Sequence, residues 1–372
     1  MAPSPLGTKL FVSTVAAALV AAFLVARRRG GGVRRRAAFD IGSGASKVMI
    51  ADVDSNGVIV GSPIYQTERP LAFKADSQQQ SDGSLSPEII TKGHELIEGL
   101  ARVARSHGAI EAAGIATEIF RTAPNGSAFL TDVAHRTGVP IVTLSQAHEA
   151  RLGLATAEAL LGGPHAVSAG WDSGGGSFQI TARSGPVTDP IGTVALQTYV
   201  GRLGTGPSFQ RLLVRVQRKP YEPTATVNPA SVDEAKALVA MLSAELSPPP
   251  SWLYGASIVA IGGWNCIFAT TLRAIRYLDG SSPPADGAGG TFTVADAKRA
   301  LDSVCDKKDE QLLPIAGMSD EAEAPSFVVP KIALLVAVAS HLGFVSIEYV
   351  PATGSAAGLL ALGDFARLAS PK

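Results

Sequence analysis

Apolar positions follow two rhythms that alternate along the chain. Residues 37–53 (AAFDIGSGASKVMIADV) place apolar runs on both sides of a Gly/Ser turn, the pattern of strand, tight turn and return strand. Residues 87–107 carry apolar side chains near a 3.6-residue period behind Pro87, which predicts a helix. A short apolar strand (EAAGIAT), a helix over 124–137, a strand (PIVTLS) and a helix over 146–161 follow. Residues 165–184 then repeat the opening pattern as strand AVSAGWD, turn SGGGS and strand FQITAR. Beyond them the spacing predicts a helix over 231–246, a break at Pro248–Pro249–Pro250, a strand over 257–261 running into Gly262–Gly263 and a helix. After a loop at 279–290 come helices near 293–305 and 330–343, a strand at 345–350 and a last helix near 355–369. Alternating strands and helices imply an α/β architecture.

The repeat has a chemical reading. Asp40 precedes Gly42–Ser43–Gly44, and 132 residues later Asp172 precedes Gly174–Gly175–Gly176–Ser177. A glycine-rich turn lets backbone N–H groups converge on an anion with no Cβ in the way. An Asp at its mouth can hold Mg²⁺, usually through water, and so screen phosphate charge. One such turn alone reads better as an ordinary hairpin; two with Asp at the same offset suggest a polyphosphate gripped from both sides, one turn per domain.

Composition limits the alternatives. The chain has 372 residues, 46% apolar and 17% charged, enough to bury a sizeable core and too long for a single small one. Its formal charge is zero, but residues 1–36 hold seven Lys and Arg and no acid, which leaves 25 basic against 32 acidic groups in the body, a net of −7. An acidic body does not suit non-specific nucleic-acid binding. Two cysteines, Cys266 and Cys305, make neither a disulfide framework nor a CxxC site, and six histidines with none paired at i and i+4 argue against a histidine-built zinc site. Residues 10–26 are 17 uncharged residues followed by Arg27–Arg28–Arg29, Gly30–Gly31–Gly32 and Arg34–Arg35–Arg36. A cleavable signal would put its basic residues before the apolar run. The order here predicts an uncleaved apolar anchor helix and an Arg/Gly linker over 1–36, with the body facing the cytosol. The Arg-rich, acid-free composition leaves an organelle-targeting presequence, mitochondrial or plastid, as the alternative.

Four segments carry a resemblance. FDIGSGASKVMIADV resembles the first phosphate loop of the exopolyphosphatase/guanosine pentaphosphate phosphohydrolase (Ppx/GppA) family; residues 114–159, with Thr, Arg, an Asn-Gly helix start and an EAR motif in order, resemble its central signature; WDSGGGSFQI resembles its second loop and VAIGGWNCIFA its third Gly-Gly turn. The resemblance implies two actin/hexokinase-type (ribonuclease H-like) α/β domains, 37–123 and 124–372, with an interdomain cleft and the last helix packing back on the first. It implies Mg²⁺-dependent hydrolysis of the terminal phosphoryl group of polyphosphate or guanosine pentaphosphate. Carried over by position, Asp40 and Asp172 sit at the metal; Gly42, Ser43, Gly44, Ser46, Gly174, Gly175, Gly176, Ser177 and Arg121 line the phosphate track; Glu149, in the EAR motif, and Glu118 lie in the cleft, one of them orienting or deprotonating the attacking water. Departures from the family pattern, among them Gly44, Lys47, Phe178, Gln179, Ala195, Trp264 and Ala357, remove cationic and polar contacts and imply weaker substrate binding. They keep a second reading open, a non-catalytic sensor of nucleotide or polyphosphate; a sugar kinase of the same fold is disfavoured by Trp264 and by the lack of a sugar-binding segment. The sequence leaves a homodimer open.

Overall fold

The computed structural model describes residues 32–161, 167–184, 196–222, 225–280, 288–316, 325–362 and 365. The expected anchor at 10–26 and Arg27–Arg28–Arg29 lie outside them, as does Ala195. Among the described residues no helix is long and apolar enough to cross a membrane. The chain divides into two compact units: the described residues of Met1–Pro164, Arg183–Leu196 and Thr353–Lys372, and those of His165–Ala182 and Gln197–Ala352.

The first unit is built on β1 (Arg34–Ile41), whose residues from Arg36 onward are all buried. It pairs antiparallel with β2 (Ala45–Val53), which pairs antiparallel with β3 (Tyr65–Pro70). Next come α1 (Phe73–Gln79), α2 (Pro87–Ser106), β4 (Glu111–Ala116), α3 (Glu118–Thr122), α4 (Gly126–Thr137), β5 (Ile141–Thr143) and α5 (Gln146–Leu160). The five strands lie in the order β3-β2-β1-β4-β5, with β1, β4 and β5 parallel. The α2 N-terminus follows from sequence: Ser86 accepts the Ile89 N–H at 3.2 Å and Pro87 opens the first turn, where its missing N–H costs nothing. Ile97, Leu100, Ala101 and Ala104 of α2 cover one face of the sheet with Phe39, Val48 and Ile50.

Two expectations need correction. β1 begins inside the segment read as linker. Arg34 and Arg36 reach Glu111 at 2.6 and 2.9 Å, and Arg35 reaches Asp52 at 2.9 Å, so these arginines are strand residues with carboxylate partners on the neighbouring strands. The Arg35 hydrogen bond holds Asp52 below the usual carboxylate range. The domain break, expected at 123/124, falls after α5, because β5 completes the first sheet beside β4 and α5 packs on it.

The second unit starts with β6 (Ala169–Ser173), β7 (Phe178–Arg183) and β8 (Leu196–Gly201). Then α6 (Thr205–Gln210) runs into a π-helical turn, Arg211–Val216, followed by α7 (Val232–Ala244), β9 (Ile258–Gly262), α8 (Ile267–Leu278), β10 (Gly290–Thr293), α9 (Val294–Val304), α10 (Asp309–Ala316), α11 (Val328–His341) and β11 (Ser346–Pro351). Its sheet has the order β10-β11-β9-β6-β7-β8, with β6, β9 and β11 parallel. Read from β8, five strands repeat the first sheet: an antiparallel β6–β7 hairpin whose first strand continues into parallel neighbours. The echo seen in two short turns is therefore an echo of whole sheets. Trp171, fully buried, sets its ring against Phe178, Phe268 and Phe344.

The chain finally returns to the first unit with α12 (Ala356–Leu360). Two fixtures hold it. The Gly358 N–H donates to Thr156 Oγ1 at 3.1 Å, and a Cβ at Gly358 would stand 2.8 Å from the Leu152 carbonyl oxygen, so α12 and α5 meet backbone against backbone. Buried Arg36 donates through Nη1 to the Leu360 carbonyl at 3.1 Å and lies over the Phe365 ring, while its Nε holds Glu111.

That clasp leads to a stability test. Arg36→Ala leaves the buried Leu360 carbonyl without its donor and the Glu111 carboxylate with Arg34 alone, and is expected to cost about 2 kcal/mol. Arg34→Ala, on a side chain 54% exposed, should stay within about 0.5 kcal/mol of the parent. Urea unfolding of the full chain measures both; equal costs would mean that Arg36 is not the clasp.

Candidate active site

Both copies of the Asp-and-glycine pattern fold into the same device. Between β1 and β2 the Gly42 N–H closes the turn on the Ala45 carbonyl at 2.9 Å; between β6 and β7 the Gly174 N–H closes on the Ser177 carbonyl at 2.9 Å. Asp40 stands opposite Lys47 and Asp172 opposite Gln179 in the strand pairing, and each Asp is the last residue but one of its strand.

In the first unit, the parallel strands β1, β4 and β5 end on one side of the sheet, and the segments leaving those ends carry the candidate residues. In α/β folds that is the side where ligands bind. Asp40 is buried, 5% exposed, and its Oδ2 accepts the Ser355 N–H at 2.8 Å. Gly354, just before, has φ +56°, and a Cβ there would collide with the Asp40 carboxylate and the Lys47 side chain. The turn is tied to its surroundings through its carbonyls: Ser43 accepts the Lys74 N–H and Gly44 the Leu71 N–H, both at 3.0 Å. The Ile41 carbonyl accepts the Thr117 N–H at 3.2 Å, which sets Glu118 beside the turn at the start of α3. Glu118 Oε2 pairs with Lys74 Nζ at 2.9 Å. Arg121 Nη1 donates to Glu149 Oε1 at 2.5 Å and to the Leu144 carbonyl, so it joins α3 to the start of α5. Both candidate water-holding carboxylates thus carry a basic partner. These are different pairs. Lys74–Glu118 is largely exposed, at 39% and 51%, and such pairs contribute about 1 kcal/mol or less. Arg121–Glu149 is half-buried and braced by a carbonyl.

The remaining expected site residues divide. Ser43 is half-buried and Gly44 exposed in the turn. Ser46 pairs with Ile41, so it stands on the sheet face opposite Asp40, beneath the helices, 1% exposed and with no partner for its Oγ among the described residues. Strand alternation forces this, since Asp40 pairs with Lys47 and the next position must face the other way. The Asn125–Gly126 helix start is structural: the Asn125 side chain accepts the Leu85 N–H and donates to the Leu85 carbonyl, both at 2.8 Å. His148, beside Glu149, bonds Ser145 Oγ at 2.9 Å, and burial, aided by Arg151, pushes its pKa down.

In the second unit Gly174 and Gly175 are exposed, Gly176 and Ser177 half-buried, and Asp172 half-buried. The turn leans on the start of α6, where the Gly206 N–H donates to the Gly175 carbonyl at 3.0 Å, and Ser177 Oγ accepts the Gln179 amide at 3.1 Å. The third turn's carbonyls are bonded by side chains of the same protein. Tyr349 Oη donates to the Gly262 carbonyl at 3.1 Å, buried Lys331 to the Asn265 carbonyl at 2.6 Å and buried Arg273 to the Trp264 carbonyl at 2.8 Å; the Arg273 guanidinium also lies over the Trp264 ring.

Among the described residues no three His, Cys, Asp or Glu side chains gather to hold a metal. A single carboxylate beside a glycine turn suits Mg²⁺ better than a structural ion, because Mg²⁺ keeps several waters and takes few protein ligands beside substrate phosphates. Sequence reasoning missed Lys74 and the Gly354–Ser355 support of Asp40. A lysine in an unassigned stretch carries no signal, whereas Gly354 and Ser355 lie just before Ala357, a position already marked as a departure from the family pattern.

Comparison with known proteins agrees with the resemblance. Residues 50–211 match the Ppx/GppA phosphatase family. An uncharacterized protein of Streptomyces coelicolor is 29% identical over 163 residues, 44% of this chain; the match spans about half, 47%, of that curated relative. A Ppx/GppA family member from Aquifex aeolicus has the same fold at 17% identity and a TM-score of 0.67, covering 90% of this chain and 99% of its own. An exopolyphosphatase from Cytophaga hutchinsonii matches at 15% identity and 0.63, covering 91% and 100%. Nucleoside triphosphate hydrolases of Neospora caninum match at 11% and 0.55, covering 98% of each chain. These likenesses establish the fold: mixed α/β with two sheets, of the actin-like type.

Gly354 supplies a test. Gly354→Ala forces a left-handed backbone and drives a methyl into the Asp40 carboxylate, so it should cost clearly more than the roughly 1 kcal/mol of Gly343→Ala, where φ is +72° but no atom lies within 4 Å. Thermal unfolding of the two variants compares them; equal shifts would remove Gly354 as the support of Asp40.

Proposed function

We propose, for a chain whose residues 50–211 carry a Ppx/GppA phosphatase family domain, that it hydrolyses the terminal phosphoryl group of inorganic polyphosphate or guanosine pentaphosphate with Mg²⁺. The observation that carries this reading is the pair of turns closed by the same hydrogen bond, each preceded by an Asp. Phosphoryl transfer asks a protein mainly for positioning and charge screening. In this reading the turn backbones and Ser43 and Ser177 bind phosphate oxygens, and Asp40 and Asp172 hold the metal, which would screen the phosphate charge. Glu149, oriented by Arg121, or Glu118 holds the attacking water and takes its proton. The water oxygen bonds to the terminal phosphorus as the bridging P–O bond breaks, so that the shortened phosphate chain leaves on the bridging oxygen and orthophosphate is released.

One observation favours the sensor reading instead: bulky Trp264 stands in the third turn, braced by the Arg273 guanidinium over its ring, and Arg273 and Lys331 hold the Trp264 and Asn265 carbonyls. Phosphate release by the full chain from long-chain polyphosphate and from guanosine pentaphosphate, with and without Mg²⁺, separates the two. Asp40→Asn and Asp172→Asn should each lower release by orders of magnitude with the fold intact. Glu149→Gln and Glu118→Gln should each lower kcat by at least about 10²-fold without weakening binding. Retained turnover in both Asp variants sinks the two-turn site; binding without any release by the parent chain favours the sensor.

A further inference from the structure

The first turn has a basic side chain beside it that is held loosely. Lys74 is the second residue of α1, and its own N–H is bonded to the Ser43 carbonyl at 3.0 Å, so its backbone is fixed to the turn. Its Nζ reaches sideways to Glu118, whose position is fixed in turn by the Thr117 N–H on the Ile41 carbonyl. Lys74, the turn and Glu118 thus form one hydrogen-bonded ring around the end of β1. Arg121 differs: a carboxylate and a main-chain carbonyl share one of its nitrogens, and moving it would uncover both. Lys47 lies 3.9 Å from Glu68 on the neighbouring strand and has further interactions. Lys74 alone of the three combines a backbone bond to the turn with an exposed ammonium on a flexible stem, joined to a single exposed carboxylate. An ion pair of that kind is weak. A chain of phosphates offers several anionic oxygens against one carboxylate, and it competes well for a mobile ammonium.

We propose that Lys74 is a substrate-binding residue: it leaves Glu118 for the phosphate chain, and the exchange frees the Glu118 carboxylate to face the attacking water. The proposal rests on the polyphosphatase reading above and adds to it a residue and an order of events, in which substrate arrival itself uncovers the acid. Without substrate the two charges cancel beside the turn. With substrate the lysine neutralises phosphate oxygen, and the carboxylate is left where a proton is to be taken. No covalent step is involved.

Steady-state phosphate release and binding of fluorescently labelled polyphosphate, both on the full chain with Mg²⁺, test it. Lys74→Gln should raise KM and Kd about tenfold while kcat stays within about threefold, since Glu118 is already free in that variant. Lys74→Arg should restore KM to within about twofold. Glu118→Gln should bind polyphosphate a few-fold more tightly, because the acid no longer competes for the lysine. The slope of log Kd against log salt should fall by about 0.7 in Lys74→Gln, one cation's share for a single-stranded polyanion. Lys92→Gln, which breaks the exposed Lys92–Glu88 pair on α2, is the control and should change nothing. An unchanged KM and Kd in Lys74→Gln in an active parent overturns the role of Lys74 and leaves the polyphosphatase reading standing. A joint fall of kcat, binding and thermal midpoint that arginine does not rescue makes Lys74 structural, and also overturns it. A parent that neither binds nor cleaves polyphosphate overturns the polyphosphatase reading, and the role of Lys74 with it.

Discussion

A carboxylate placed at 5% exposure needs a donor, and Asp40 finds it 315 residues away in the chain, in the Ser355 N–H. Much of the first unit is arranged to make that bond. The backbone must come close before it donates, so Gly354 precedes it in a left-handed conformation and without a Cβ. The helix that follows must be held at the same height, and Gly358 lets it lie directly on α5. Its end must not fray, and Arg36, from the same strand as Asp40, takes the Leu360 carbonyl. First strand and last helix therefore form a closed structure, and the two ends of the family segment at 50–211 lie within reach of neither glycine in sequence.

That dependence explains what could be read in advance. The hairpins at both turns, α2, β4, α4, α5, α7, β9, α9, α11 and β11 stand where periodicity and capping residues put them, because each depends on signals within a few residues. Ser86, Ser231 and Thr293 are N-caps that any reader of the sequence can see. β3 was not legible: YQTERP has no apolar face to bury and lies at the sheet edge. The short α1 and α3 are fixed by bonds to the first turn rather than by their own propensity, which is why Lys74 escaped notice. The candidate residues were legible as types and positions, but their partners were not. Nothing local pairs Glu149 with Arg121, 28 residues earlier; the adjacent Arg151 would be the first guess. Arg34–Arg35–Arg36 misled because a basic run beside glycines reads as linker until Glu111 and Asp52 are found across the strands.

The duplicated sheet shows how one backbone device diverges through its neighbours. Turn closure and Asp position are the same in both copies. Around the first, the side chains are ionic: Lys47, Lys74, Glu118, Arg121 and Glu149. Around the second they are a half-buried Asp172, an amide at Gln179, a hydroxyl at Ser177 and the glycine backbone at Gly206. Backbone N–H groups and hydroxyls bind an anion without responding to it, since none of them gives up a charged partner to do so. A weak exposed pair such as Lys74–Glu118 does respond, because its carboxylate is released when its cation moves, whereas Arg121 is also held by the Leu144 carbonyl. With Arg34, Arg35 and Arg36 counted in β1, the body from residue 34 on carries 28 basic against 32 acidic groups, a net of −4. That charge offers a polyanion no long-range attraction, so whatever attracts it must act at contact distance. The second turn therefore offers only backbone, amide and hydroxyl groups beside Asp172, whereas the first adds exchangeable charge at Lys74 and Glu118.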